Sequence, residues 1–273
     1  MLTKLKDTRK AGLFTSISLL LGIAFASIPG ISGFLYMMTP TLAALIMMLV
    51  VTRDGYSHKD WRKLGLHKLG LRGWLPALII PIVPLALGYG TVWALGMVEL
   101  DVPTDFQGFE WEVVPAVLIF ALIKGTLFES LGEELGWRGY LLPRLMGIGE
   151  RKAMLINGVI HGIWHFPIIL LTREYHQGEK LWILLPFTVV STMFLAPVIS
   201  MLRLRTGSVW PASLMHTSHN LCWLVLTTLF TAQSEGSMYL AGDMGLIGIL
   251  FYAGLTWYLW RGEKWESRIS HSS

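Results

Sequence analysis

Eight apolar stretches, each about the length a helix needs to cross a bilayer, follow one another along the chain with charged segments between them. They lie at 12–29, 34–51, 74–98, from 113 onward, and at 153–171, 181–202, 208–230 and 244–260. In hydrocarbon, a segment must satisfy its own backbone N–H and C=O groups, so a run of this kind reads as a helix. The expectation is an all-α, polytopic transmembrane helical bundle of about eight spans. Charge content agrees: 15% of the 273 residues are charged, against ~25% in an ordinary soluble domain.

The connecting segments alternate in Lys and Arg. Residues 1–10 are basic, and the 53–72 loop carries Lys59, Arg62, Lys63, Lys68 and Arg72. Basic residues recur at Arg138, Arg144, Arg151 and Lys152, at Arg203 and Arg205, and at Arg261, Lys264 and Arg268. Between the third and fourth spans lies an acidic loop with Glu99, Asp101, Asp105, Glu110 and Glu112 and no Lys or Arg. The positive-inside rule places that loop outside and both termini in the cytoplasm. A mixed loop with Arg173, Glu174 and Lys180 follows the fifth span. Ala24-Phe25-Ala26 resembles a signal-peptidase site, but the first run is long for a signal segment and further spans follow at once, so it reads as a retained span. Three prolines, Pro76, Pro81 and Pro84, predict a kinked third helix. Segment 53–72 reads as interfacial around Trp61, with a lipid or substrate entry surface as the functional alternative.

No repeat or linker divides the chain, so residues 1–273 read as one membrane domain with 113–230 as its functional core. A net charge of +4 lies in short inter-span segments, where membrane orientation explains it better than nucleic acid. The single cysteine, Cys222, allows neither an intrachain disulfide nor a cysteine metal cluster.

Against this apolar background, Glu133-Glu134-Leu135-Gly136-Trp137-Arg138 stands out. A charged residue at the centre of a span costs about 2.5–3.5 kcal/mol on insertion scales, so two glutamates there are a functional-site hypothesis. Residues four apart share a helix face, which pairs Glu134 with Arg138 and leaves Glu133, about 100° away, free. The same spacing relates His161 to His165 and His216 to Asn220. At about 1.5 Å per residue, Glu133 lies roughly 15 Å in from the cytoplasmic loops, His165 roughly 20 Å and His216 roughly 13 Å. Three helices thus bring polar groups to one depth. Taken singly, each residue has a plainer reading. Glu134 and Arg138 can be a helix-end ion pair, His161 and His219 hydrogen-bonded bundle histidines, and Lys124 with Glu129 a structural pair. Trp137, Trp164 and Trp223 read as packing residues or interfacial anchors, or as walls of a substrate groove.

The three sets in this order resemble the CAAX-processing and bacteriocin-processing (CPBP, or ABI) intramembrane glutamic endopeptidases. Glu133 to Arg138, continued by Gly139, is similar to that family's EExxxR signature; His165, followed by Phe166, fits the histidine of FxxxH; His216 to Asn220 fits HxxxN. One position departs, since His161 stands where the family usually has phenylalanine. The resemblance covers about 113–230. It implies metal-free hydrolysis of a membrane-associated or lipidated peptide, with no cofactor and no metal. Glu133 would be the general base, His165 would orient the water or protonate the leaving amine, and His216 and Asn220 would hold the oxyanion. Glu134 and Arg138 would support them, with His161 lining the pocket or replacing the ring in packing.

Two other classes compete. Two histidines four apart with a glutamate can hold zinc, with His216 as a further ligand, although no HExxH helix is present. Intramembrane Glu and His also mark proton pathways, which keeps a transporter or a peptide-binding immunity protein open. Ser218 and Cys222 lack a base and an orienting acid for covalent catalysis. A bilayer, a peptide or protein substrate and a prokaryotic plasma membrane complete the expectation.

Overall fold

The computed structural model describes residues 5–172, 179–234 and 236–261. The expected Arg173, Glu174, Lys264 and Arg268 lie outside these residues. Among the described residues, seven helices are long and apolar enough to cross a membrane: α1 Asp7–Ala26, α2 Gly33–Val51, α3 Leu71–Ala94, α4 Val114–Ile148, α5 Glu150–Leu171, α6 Leu181–Thr206 and α8 Ser237–Arg261. An eighth, α7 Trp210–Leu229, has 20 residues but falls outside those seven. Its midsection carries Ser213, His216, Thr217, Ser218, His219 and Asn220, and it packs against α3, α4 and α6. The chain is a multi-pass integral membrane protein. Apolar side chains such as Leu20, Ile119, Phe120, Phe128 and Leu250 are exposed along its helices, as a lipid-facing surface requires.

The helices are interrupted where backbone chemistry demands it. α3 breaks at Ile80–Pro81, the position of the second expected proline kink. α8 breaks at 242–245, between Gly242 and Gly245. α4 contains two π-helical stretches, Gly125–Glu129 and Leu135–Leu141, flanking the turn that carries both glutamates. Such turns recur at functional sites because they re-aim side chains without ending the helix.

Small residues set the helix spacing. A Cβ at Gly136 would lie 2.5–2.8 Å from Pro40 of α2, and one at Gly132 would lie 2.9 Å from the Met37 carbonyl. On α5, Gly158 and Gly162 approach α6 so closely that a Cβ would sit 2.5 Å from the Thr192 carbonyl or 2.7 Å from Val189 Cα. This small-xxx-small face lets α5 and α6 meet backbone to backbone. α1 is built into the bundle: Phe14, fully buried, meets Trp137 edge-on at 5.7 Å and lies tilted against Tyr140 at 5.0 Å.

The 53–72 loop folds back onto the ends of several helices. Asp54 Oδ2 pairs with Lys10 at 3.1 Å and with Arg144 at 3.4 Å, joining the start of α1 to the end of α4. Arg203 of α6 donates to the Lys63 carbonyl at 2.6 Å, and Trp210 Nε1 donates to Leu66 O at 3.1 Å. Burial alone would raise the Asp54 carboxyl. The Thr52 hydroxyl at 2.7 Å and the Lys10 and Arg144 cations outweigh it and hold the carboxyl below the ordinary carboxylate value. Trp61, half-buried, donates to Gly55 O at 2.6 Å. At the other end of α7, β1 Val98–Leu100 pairs antiparallel with β2 Phe230–Ala232, the one sheet among the described residues. That ribbon carries Glu99 of the acidic loop, so basic and acidic segments sit at opposite ends of the bundle.

Candidate active site

The two adjacent glutamates diverge. Glu133 turns towards α5, where His161 Nε2 lies 2.8 Å from its Oε2. Glu134 turns towards α7 and its own helix: Oε1 accepts from Arg138 Nη1 at 3.0 Å and from His216 Nδ1 at 3.0 Å. All three of Glu133, Glu134 and Arg138 are buried, at 2%, 0% and 0% exposure, so every charge here depends on these partners. A carboxylate oxygen and a guanidinium reach each other four residues apart, as the sequence predicts.

The frame around them is hydrogen-bonded. Thr41 of α2 donates to Gly132 O at 2.7 Å, and Asn157 of α5 donates to Trp137 O at 2.9 Å, pinning the π-helical turn. Thr217 of α7 reaches Ser130 Oγ at 2.8 Å, and Ser213 reaches Thr126 O at 2.7 Å. Trp164 stacks on Tyr36 at 4.5 Å and donates to Thr39 Oγ1 at 3.0 Å. α2, α5 and α7 are therefore fastened to α4 on both sides of the glutamate pair.

A cavity of about 170 Å³ opens beside Glu133. Glu133, His161, His165, His216 and Asn220 all line it, with apolar walls from Tyr36, Trp164, Leu195 and Met215. Glu134 and Arg138 stand behind this lining. His165 Nδ1–H donates to the His161 carbonyl at 3.0 Å, which turns its Nε2 edge away from the backbone. Asn220 is exposed and borders a second cavity of about 300 Å³, which it shares with Met37, Phe120, Leu221 and the Lys124–Glu129 pair at 2.6 Å. Ser218, by contrast, spends its hydroxyl on Leu78 O at 2.9 Å.

Two titratable residues of the cavity lie outside the set that the sequence singled out as catalytic or supporting. Asp243 lies in the break of α8, one residue before the expected start of that span, and an acidic residue between two glycines in an apolar tract was the available signal. His219, set aside as a bundle histidine, lines the cavity as well.

Glu133, His161 and His165 each offer a ligand atom, and these lie within 4.8 Å of one another. Two histidines, a carboxylate and a water make a common catalytic zinc set, so these three residues have the chemistry to hold a divalent ion. His216, the expected further ligand, turns to Glu134 instead.

With this geometry in place, comparisons with known proteins are informative. Residues 110–222 match the family model described as type II CAAX prenyl endopeptidase Rce1-like. The chain is also similar to "CAAX prenyl protease 2" of Methanococcus maripaludis, at 28% identity over 112 residues. That alignment covers 40% of this chain and 37% of the relative, so the chain spans little over a third of that relative's length. The matched stretch contains Glu133, His161, His165, His216 and Asn220, which line the cavity, and Arg138 behind them. Over residues 110–222 the chain is therefore similar to type II CAAX prenyl endopeptidases of the Rce1-like kind.

Proposed function

We propose that this protein is an intramembrane endopeptidase that hydrolyses a membrane-associated or lipidated peptide, with Glu133 as the general base. The observation that carries this reading is a buried carboxylate at the wall of a cavity, paired on one side and facing polar groups from two other helices. Glu133 takes a proton from a water held between it and His165. The hydroxide attacks the scissile carbonyl carbon, and the carbonyl oxygen becomes an oxyanion. Asn220 donates to that oxygen through its side-chain amide. For His216 to donate Nε2–H to it while Nδ1–H is held by Glu134, the ring must be imidazolium, and the Glu134 carboxylate is its counter-ion. Preorganised donors in a site with few competing waters account for most of such a barrier reduction. The proton on Glu133, directly or relayed through His165 Nε2, then passes to the leaving amine as the oxyanion re-forms the carbonyl and the C–N bond breaks.

The apolar side of the adjoining cavity, formed by Phe109, Val117, Phe120 and Leu221, gives a lipophilic part of the substrate a place beside the reacting bond. In this reading both termini and the basic loops face the cytoplasm, and residues 113–230 are the catalytic core of a single domain. The test compares the termini of membrane peptides in cells expressing wild-type protein or Glu133→Gln at equal abundance. Termini that depend on Glu133 identify a protease and its substrate together; identical profiles would falsify the reading and shift weight to a peptide-binding or immunity role. A metal-dependent protease is a second reading, favoured by the clustering of Glu133, His161 and His165.

A further inference from the structure

Both ring nitrogens of His161 have partners. Nδ1 lies 3.4 Å from Arg138 Nη1, and Nε2 lies 2.8 Å from Glu133 Oε2. A guanidinium is only ever a donor, so Nδ1 must accept. The proton is then on Nε2, which donates to Glu133. A doubly protonated ring would set Nδ1–H against the Arg138 N–H, and the opposite tautomer would add a lone pair facing the carboxylate. The partners select one neutral form.

The ring is also held in place. It is 5% exposed, lies 5.3 Å from the Trp137 ring and 6.0 Å from the Trp164 ring, and its carbonyl receives His165. Arg138 Nη1 gives its other hydrogen to Glu134 Oε1, which in turn receives His216. One line of hydrogen bonds thus runs from α7 through α4 to α5 and back to α4: His216, Glu134, Arg138, His161, Glu133.

We infer that His161 is a positioning residue: Arg138 sets its tautomer, and its Nε2–H fixes Glu133 Oε2, leaving Oε1 as the oxygen that meets the water. A phenylalanine would fill much the same space but carries no N–H, so the contact to Glu133 requires the imidazole here. The catalytic consequence rests on Glu133 being the base, whereas the hydrogen-bond pattern does not.

Two measurements test it separately. Histidine-selective ¹⁵N NMR on the protein in lipid nanodiscs, with His161→Phe used to identify the missing ring signals among eight histidines, is expected to show a neutral imidazole protonated at Nε2. A proton on Nδ1, a doubly protonated ring, or an unprotonated Nε2 of the kind a metal ligand has would overturn the inference. In the second measurement, a farnesylated CAAX-type peptide or a peptide found by the terminus comparison is cleaved by wild type, His161→Phe and His161→Gln. Gln places an amide N–H the same number of bonds from Cβ as Nε2. The expectation is a kcat lowered about 10- to 100-fold in His161→Phe, with KM little changed, and largely regained in His161→Gln. Equal kcat in wild type and His161→Phe, or equal losses in both variants when both are folded, would sink it. If wild type and Glu133→Gln are equally inactive, the protease reading fails, and the NMR result still decides where the proton lies.

Discussion

His216 Nδ1 lies 3.0 Å from Glu134 Oε1, so a histidine of α7 is held by the second glutamate of α4, the one that also neutralises Arg138. Replacing that glutamate leaves Arg138, with no exposure, next to a neutral group. Glu134→Gln is expected to destabilise the bundle by about 3 kcal/mol, because an uncompensated buried charge costs more than the pair contributes. Denaturant unfolding in detergent micelles measures it. A midpoint equal to wild type would show that the ion pair is not structural.

Asn220 lines the cavity beside Glu133 and is exposed there. In the proposed reaction Asn220→Ala lowers kcat by roughly 100-fold with a small effect on KM, as removal of one oxyanion donor does. A change confined to KM would assign Asn220 to substrate binding instead.

Gly136 is where α4 and α2 touch. Its missing Cβ faces Pro40 Cβ, C and O at 2.5–2.8 Å, and backbone atoms do not swing aside. Gly136→Ala is expected to cost about 1–3 kcal/mol by overpacking and to disturb the glutamate turn. Gly12→Ala is the control, since nothing lies within 4 Å of its Cβ position in α1. Helix propensity predicts that it is neutral or stabilising by up to about 1 kcal/mol. Equal stabilities of the two variants would contradict this packing.

The Asp54 cluster gives a pH dependence outside the membrane spans. Because the folded-state carboxyl is held below its ordinary value, its stabilisation is complete above about pH 3.9 and is lost as pH falls through the lower folded value. The stability difference between wild type and Asp54→Asn is therefore constant near neutrality and closes in acid. A gap that widens on acidification has the wrong sign and would remove Asp54 as the link between α1 and α4.

Metal analysis separates the two protease readings. With Glu133 acting on a free water, protein purified without added metal and treated with chelator keeps its activity. Near-stoichiometric zinc, with activity lost to chelator and restored by zinc, would instead assign Glu133, His161 and His165 as ligands.

Much of this architecture was legible because a bilayer imposes a simple rule: a long apolar run must be a helix. That rule finds the spans, and helical spacing pairs Glu134 with Arg138. Depth counting is enough to bring Glu133, His165 and His216 to one level. Span boundaries shifted by several residues, as at α1, which begins at Asp7, and α8, which begins at Ser237. The shift at α8 hid Asp243, because a break inside a helix leaves no period to count.

Sequence alone determined the class of molecule, the helix order and the residue types able to do acid–base chemistry, since each follows from local hydropathy and spacing. Tertiary structure decided which partner each group takes. It turned Glu133 to His161, gave His216 to Glu134 and put Arg138 between them. Those choices depend on the approach of α2 to Gly136 and of α6 to Gly158 and Gly162, and on two π-helical turns that re-aim α4. Contacts between helices distant in sequence are settled by packing, and no local pattern encodes them.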